Sequence, residues 1–143
     1  MKKRLTCALL VIVMILSAVS LVACGNKVDP VGIWENATYL DDEEFGRGDT
    51  TITVEVKAGE SSVLFTINTD KTILADALLE HELVAGEYSE YGLAVYTING
   101  MTANWNVDGG YWAPYVGDEY AMGGVSYIEI KNGDSFRFEL ETM

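Results

Sequence analysis

Two cysteines, two prolines and a single histidine are all that 143 residues contain of those types, and nine Lys and Arg stand against 22 Asp and Glu. Each scarcity excludes something. A formal charge of −13 is incompatible with holding nucleic acid, because phosphate backbones are bound through clustered Lys and Arg. One histidine, His81, cannot supply the three or four nitrogen and sulfur ligands of a zinc site, and it reads as a helix-end residue. There is no glycine-rich phosphate loop with its lysine, no internal repeat and no low-complexity block. What is present in quantity is apolar: 49% of residues, with 10% aromatic, enough for the core of one domain and too much for a disordered acidic tail.

The one long apolar run lies at the start. Lys2, Lys3 and Arg4 precede Leu5 to Ala23, which is apolar apart from Thr6, Ser17 and Ser20. This is the basic n-region and apolar h-region of a secretory signal; as a membrane span it would be barely long enough, since crossing takes about 20 residues. Leu21-Val22-Ala23-Cys24, followed by polar Gly25-Asn26-Lys27, is similar to the bacterial lipobox. There the cysteine thiolate, the side chain most readily alkylated near neutral pH, receives a diacylglycerol and the preceding peptide is cut. Two or three acyl chains hold a protein on a membrane where one is marginal. Cys24 is therefore read as an anchor, residues 1–23 as a lipoprotein signal peptide and 24–31 as a tether. Cleavage would leave six bases against 22 acids, a formal charge of −16. Cys7 would leave with the signal, so a domain over 32–143 has no disulfide and is stabilised by packing alone.

Along that domain, Gly32 to Leu40 reads as an edge strand, broken by Asp41-Asp42-Glu43-Glu44 and Gly46-Arg47-Gly48. Thr51 to Lys57 alternates, with Ile52, Val54 and Val56 on one face, and Val63, Phe65 and Ile67 return with the same period across Ala58-Gly59-Glu60-Ser61, so the two form a hairpin. Ile73, Leu74, Ala77 and Leu78 have helical spacing; a helix is expected over Thr72 to about Glu82, capped by Thr72 or Asp70, and too short to persist unless docked on a sheet. Further strands are expected at Leu93 to Ile98, Thr102 to Val107, Tyr111 to Val116, a short segment at Tyr120, and Ser135 to Glu141. Asn99-Gly100 and Asp108-Gly109-Gly110 mark the turns among them. Without alternating βαβ units, this is an α+β domain with a mainly antiparallel sheet of about seven strands and one helix.

Tyr91-Gly92-Leu93, Ile98-Asn99-Gly100, Tyr111-Trp112, Gly124-Val125 with Tyr127, and Asn132-Gly133-Asp134 with Phe138 occur in an order and spacing that resembles the C-terminal domain of transcobalamin and intrinsic factor. Bacterial surface lipoproteins that share this domain also resemble the chain at Trp34, the Thr51 to Val56 strand, Ala77-Leu78-Leu79-Glu80-His81 and Tyr120-Ala121-Met122. The resemblance implies a β-grasp-like ligand-binding fold and, as ligand, cobalamin or a related corrinoid. In the vitamin carriers a polar residue follows the Tyr-Trp pair; here it is Ala113.

Tyr91, Tyr96, Trp105, Tyr111, Trp112, Tyr115 and Tyr120 fall within thirty residues and are the candidate ligand-binding set, as a stacking surface or as cross-strand packing. If Tyr111 to Val116 is regular, Tyr111, Ala113 and Tyr115 face one way and Trp112, Pro114 and Val116 the other, so only one set faces a ligand. The remaining motifs are weaker. Asp41 to Glu44 lacks the alternating acids and glycine of a calcium loop and reads as a solvated acidic run. Arg47-Gly48-Asp49 sits where a turn needs Gly and Asp anyway. Gly124-Val125-Ser126-Tyr127 is half of a nucleophile elbow without its second glycine. No catalytic set assembles, and the chain is expected not to be an enzyme. The expectation is a non-enzymatic binding module, lipid-anchored outside the cytoplasm, for a small soluble ligand with no resident cofactor or metal; the alternative is a structural or adhesive module that binds an envelope protein or cell-wall partner.

Overall fold

A computed structural model describes residues 26–143; the expectations for the signal peptide and for Cys24 lie outside the described residues. Nine strands form two sheets. The larger has six strands in the order β1-β3-β2-β9-β7-β8, and the smaller three in the order β4-β5-β6. The strands are β1 Glu43–Gly46, β2 Thr50–Ala58, β3 Ser61–Thr69, β4 Val84–Ser89, β5 Gly92–Ile98, β6 Met101–Thr102, β7 Gly110–Val116, β8 Glu119–Tyr120 and β9 Ser135–Thr142. Among the described residues, two short helices, α1 Leu74–Glu80 and α2 Trp105–Asp108, accompany the strands in an α+β architecture. It differs from a single, mainly antiparallel sheet of seven strands: β1 runs parallel to β3 and β2 parallel to β9.

The β2–β3 hairpin is the framework, and its alternation holds throughout. Ile52, Val54, Val56 and Ala58 face inward beside Val63, Phe65 and Ile67. Phe136 and Phe138 of β9 extend that inner face through their pairing with Val54 and Val56. Trp112 of β7 continues it, pairing with Leu140 of β9. The apolar face is covered by Leu74, Ala77 and Leu78 of α1, by Leu93, Ile98 and Met101 of the small sheet, and by Trp34. A helix of two turns cannot hold itself together in water, so its stability comes from this docking.

Local competition explains the departures from the expected elements. Gly32–Asn36 is a 3₁₀ turn and not an edge strand, because Trp34 turns inward and its indole N–H donates to the Ala58 carbonyl at 3.1 Å. The edge strand is instead β1, within the acidic run, whose backbone pairs with β3. Helix α1 begins at Leu74, without a side-chain cap, because Thr72 and Ile73 are drawn into bridging with Ile128 to Ile130. It stops at His81, with Glu82 in the left-handed region at φ 54 and the Leu83 N–H on the Leu78 carbonyl. Gly86 lies at a bulge in the β4–β5 ladder, where Tyr96 of β5 is the extra residue. Beyond Thr102 the expected strand gives way to α2: Asn104 accepts the Asn106 N–H at 3.0 Å as N-cap, and Gly109 closes the helix at φ 68. Residues 26–28 are held to the rest of the fold, with Val28 buried, its N–H on the Leu40 carbonyl, and the Asn26 amide donating to Ser62 O at 2.6 Å.

Candidate functional site

The outer face of the large sheet carries the polar half of every alternation. The register places Leu64, Glu55, Arg137, Tyr115 and Tyr120 in one row across five strands. Beside it, Lys57, Glu139 and Ala113 form a second row. Tyr111 then stands opposite Glu141. Of the seven aromatic candidates, the structure gathers four here. Tyr115 and Tyr120 meet edge to face at 5.7 Å, and Trp105, at the start of α2, meets Tyr111 edge to face at 5.8 Å. Ala113 is fully buried between them although it faces outward, as expected of a small side chain flanked by Tyr111, Tyr115 and Glu139.

The other three candidates part company. Trp112 is 5% exposed and belongs to the core, its indole N–H donating to the Met101 carbonyl at 3.2 Å. It shares with Leu93, Val95, Pro114, Gly124, Val125 and Phe138 a small apolar cleft of about 100 Å³. Tyr96 is on the small sheet, and Tyr91, 76% exposed, is at the β4–β5 turn. There the absence of a Cβ on Gly92, at φ 88, leaves room for Ser126 and Tyr127, and the Ser126 hydroxyl accepts the Leu93 N–H at 3.0 Å.

The sequence had given no weight to the charged residues that separate these rings. Arg137 stacks on the Tyr115 ring, its guanidinium carbon 4.2 Å from the centroid, and its Nε lies 3.4 Å from Glu139. Lys57 donates to Glu139 at 2.7 Å. That hydrogen bond, with the charge behind it, holds the Lys57 ammonium above the ordinary value of 10.5. Loss of solvent around the ring, then the proximity of Tyr120, Glu141 and Tyr115, pushes the Tyr111 phenol above 10.0. Glu141 meets the Tyr115 hydroxyl at 3.5 Å. The signal was the strict alternation of Phe136, Phe138 and Leu140 with Arg137, Glu139 and Glu141, which assigns the charged set to the opposite face. Arg137 also borders a depression of about 380 Å³ formed with Thr53, Glu55, Leu64, Gly117, Asp118, Ser135 and Phe136. The ring cluster and this polar hollow are therefore contiguous through one side chain.

No protein-family model matches the chain, and no curated protein does. Solved structures do. A candidate metal-binding protein from Ruminococcus gnavus ATCC 29149 superposes over 66% of this chain and 99% of its own, with 29% sequence identity and a TM-score of 0.63. Haptocorrin in complex with Cbi superposes over 68% of this chain, with 17% identity and a TM-score of 0.53. The match spans 26% of the haptocorrin chain. The chain thus shares its fold with the Ruminococcus gnavus protein and with one part of haptocorrin.

The other motifs have structural partners. Asp42 accepts the Leu64 N–H at 2.8 Å, and Glu44 accepts from the Asn68 amide at 2.9 Å. Gly48 lies so close to the Thr69 backbone that a Cβ there would collide. His81 stacks on Phe45 with 5.4 Å between centroids. Among the described residues, no group of three or more His, Cys, Asp or Glu side chains comes together to hold a metal ion.

Proposed function

We propose that this chain is a lipid-anchored, extracytoplasmic binding module that holds a small soluble ligand on the outer face of its large sheet, without transforming it. The carrying observation is the cluster of Trp105, Tyr111, Tyr115 and Tyr120, joined through Arg137 to a hollow of about 380 Å³. Ligand sites combine apolar walls with a few placed polar groups at roughly 300–1,000 Å³, and this hollow reaches that range only at its lower end. A ligand would lie on the face with one side covered. The fold shared with part of haptocorrin makes a corrinoid the first ligand to try, and the absence of a clustered donor set among the described residues makes a bare metal ion the weaker choice despite the name of the Ruminococcus gnavus protein.

Calorimetric titration of the full-length protein with cobalamin and related corrinoids tests the ligand, with heat and a raised melting temperature expected. No heat and no thermal shift with any of them rejects the corrinoid. Incorporation of labelled palmitate, abolished by Cys24→Ser, tests the anchor. A second reading, an adhesive surface for an envelope protein, is favoured by one feature: Trp105, Tyr111 and Tyr120 are 40–50% exposed on one face. Recovery of one envelope protein by the wild type but not by Tyr120→Ala supports that reading; equal recovery by both rejects it.

A further inference from the structure

The charge balance around the rings narrows the ligand, given the reading that this face is the site. The outer face offers two bases near the rings, Lys57 and Arg137, and both are directed at the same acid, Glu139, at 2.7 Å and 3.4 Å. Glu141 has no basic partner among the described residues; its one polar contact is the Tyr115 hydroxyl at 3.5 Å. It pairs across the ladder with Tyr111. An uncompensated carboxylate thus lies opposite Tyr111 and beside Tyr115, whose rings in turn pack on Trp105 and Tyr120, in a protein that already carries 22 acids. We propose that Trp105, Tyr111, Tyr115 and Tyr120 around Glu141 form a subsite for the cationic head of a small alkylammonium ligand, a quaternary ammonium above all.

Ring geometry supports this occupant. Trp105 and Tyr111 meet at an interplanar angle of 67° and Tyr115 and Tyr120 at 86°, so each pair forms a corner in place of a flat stack. Corners of aromatic faces attract a cation through the ring quadrupole, and cages of this kind recognise quaternary ammonium groups. The face already makes one such contact within the fold, where the Arg137 guanidinium lies 4.2 Å over Tyr115. A primary ammonium needs three hydrogen-bond acceptors to replace its water. Here Glu141, without a basic partner among the described residues, is the carboxylate opposite Tyr111 and beside the Tyr115 hydroxyl, and a single acceptor suits a head that donates no hydrogen bonds. An anionic head would meet Glu141, Glu139 and a strongly acidic protein. The raised Tyr111 phenol stays neutral at physiological pH and presents its ring unionised.

Choline and its uncharged isostere 3,3-dimethylbutan-1-ol, titrated into the full-length protein by calorimetry and by tyrosine ring NMR, provide the test. Choline is expected to shift the rings of the cluster and to bind at least about tenfold tighter than the isostere, a difference of about 1.4 kcal/mol. Glu141→Gln and Tyr120→Ala should each weaken choline several-fold while melting as the wild type does. Equal affinity for the two compounds, or an unchanged choline affinity in melting-competent Glu141→Gln, overturns the inference. A protein that binds cobalamin but not choline also overturns it and leaves the binding-module reading standing. Choline binding without corrinoid binding upholds it and rejects only the corrinoid.

Discussion

Tyr111 and Trp112 are adjacent in the chain and opposite in role, because consecutive strand residues point to opposite faces. Trp112→Ala empties a core position and is expected to cost about 3–5 kcal/mol in chemical denaturation. Tyr120→Ala, at a site 50% exposed on a two-residue edge strand, should stay within about 0.5 kcal/mol. Two groups titrate higher in the fold than in the unfolded chain: Lys57, through its bond to Glu139, and Tyr111, through lost solvent and its acidic and phenolic neighbours. Both keep their protons longer when folded, so their stabilisation is complete below pH 10 and is lost as pH rises through the folded values. Denaturant midpoints measured from pH 8 to 12 should fall above pH 10, and Tyr111→Phe should remove the tyrosine share of that fall. Asn99 shows what one residue can fix. Buried, at φ 51, it donates to the Tyr39 carbonyl at 2.9 Å and accepts the Tyr39 N–H at 2.8 Å. Asn99→Ala leaves both Tyr39 groups unpaired and strains the turn, and should cost about 2–4 kcal/mol.

Helix α2 is the element on which the candidate site turns. Its four residues place Trp105 against Tyr111, whereas a strand through Thr102 to Val107 would have carried the indole along the small sheet. Asn104 provides the cap, and Asp108 accepts the Gly110 N–H at 2.8 Å on the way into β7. Asn104→Ala is expected to cost about 1 kcal/mol and to weaken the near-ultraviolet circular dichroism of the Trp105–Tyr111 pair while the far-ultraviolet signal is kept. The sequence reading missed this helix: the β-favouring Trp105 and Val107 argued for a strand, and four residues are too few for helical periodicity to answer. The β2–β3 hairpin was legible in its alternation and in the place of its turn, and the structure lengthens both strands to nine residues by pairing Ala58 with Ser61. Strands β1 and β4 were not. Their residues are mostly exposed, so no apolar period marks them, and backbone pairing to a neighbour alone makes them strands.

For the whole molecule, the distance between the expected anchor and the candidate site matters most. Asn26, two positions after Cys24, already donates to Ser62 at the start of β3, and the rings lie at the β7–β8 end of the same sheet. With neighbouring strands about 4.8 Å apart, lipidation of Cys24, if the proposed anchor holds, would keep the β1–β3 edge at the bilayer and the rings away from it. In the lipidated protein on vesicles, a fluorophore at position 62 should be quenched by lipid-borne quenchers and one at position 120 should not. Residues 26–143 contain no cysteine, so reducing agent should leave the melting temperature unchanged. By itself the sequence determined the acidic character, the apolar run that precedes Cys24, the α+β class, the central hairpin and which residues of β7 and β9 share a face, because composition and a period of two are local properties. Tertiary structure alone decided that the strands divide into two sheets with two parallel pairings. It also gathered Trp105 with Tyr111, Tyr115 and Tyr120 while Tyr91, Tyr96 and Trp112 went elsewhere, and it left Glu141 without a base. Those outcomes depend on which strand lies beside which, and that is fixed by packing the whole apolar face at once.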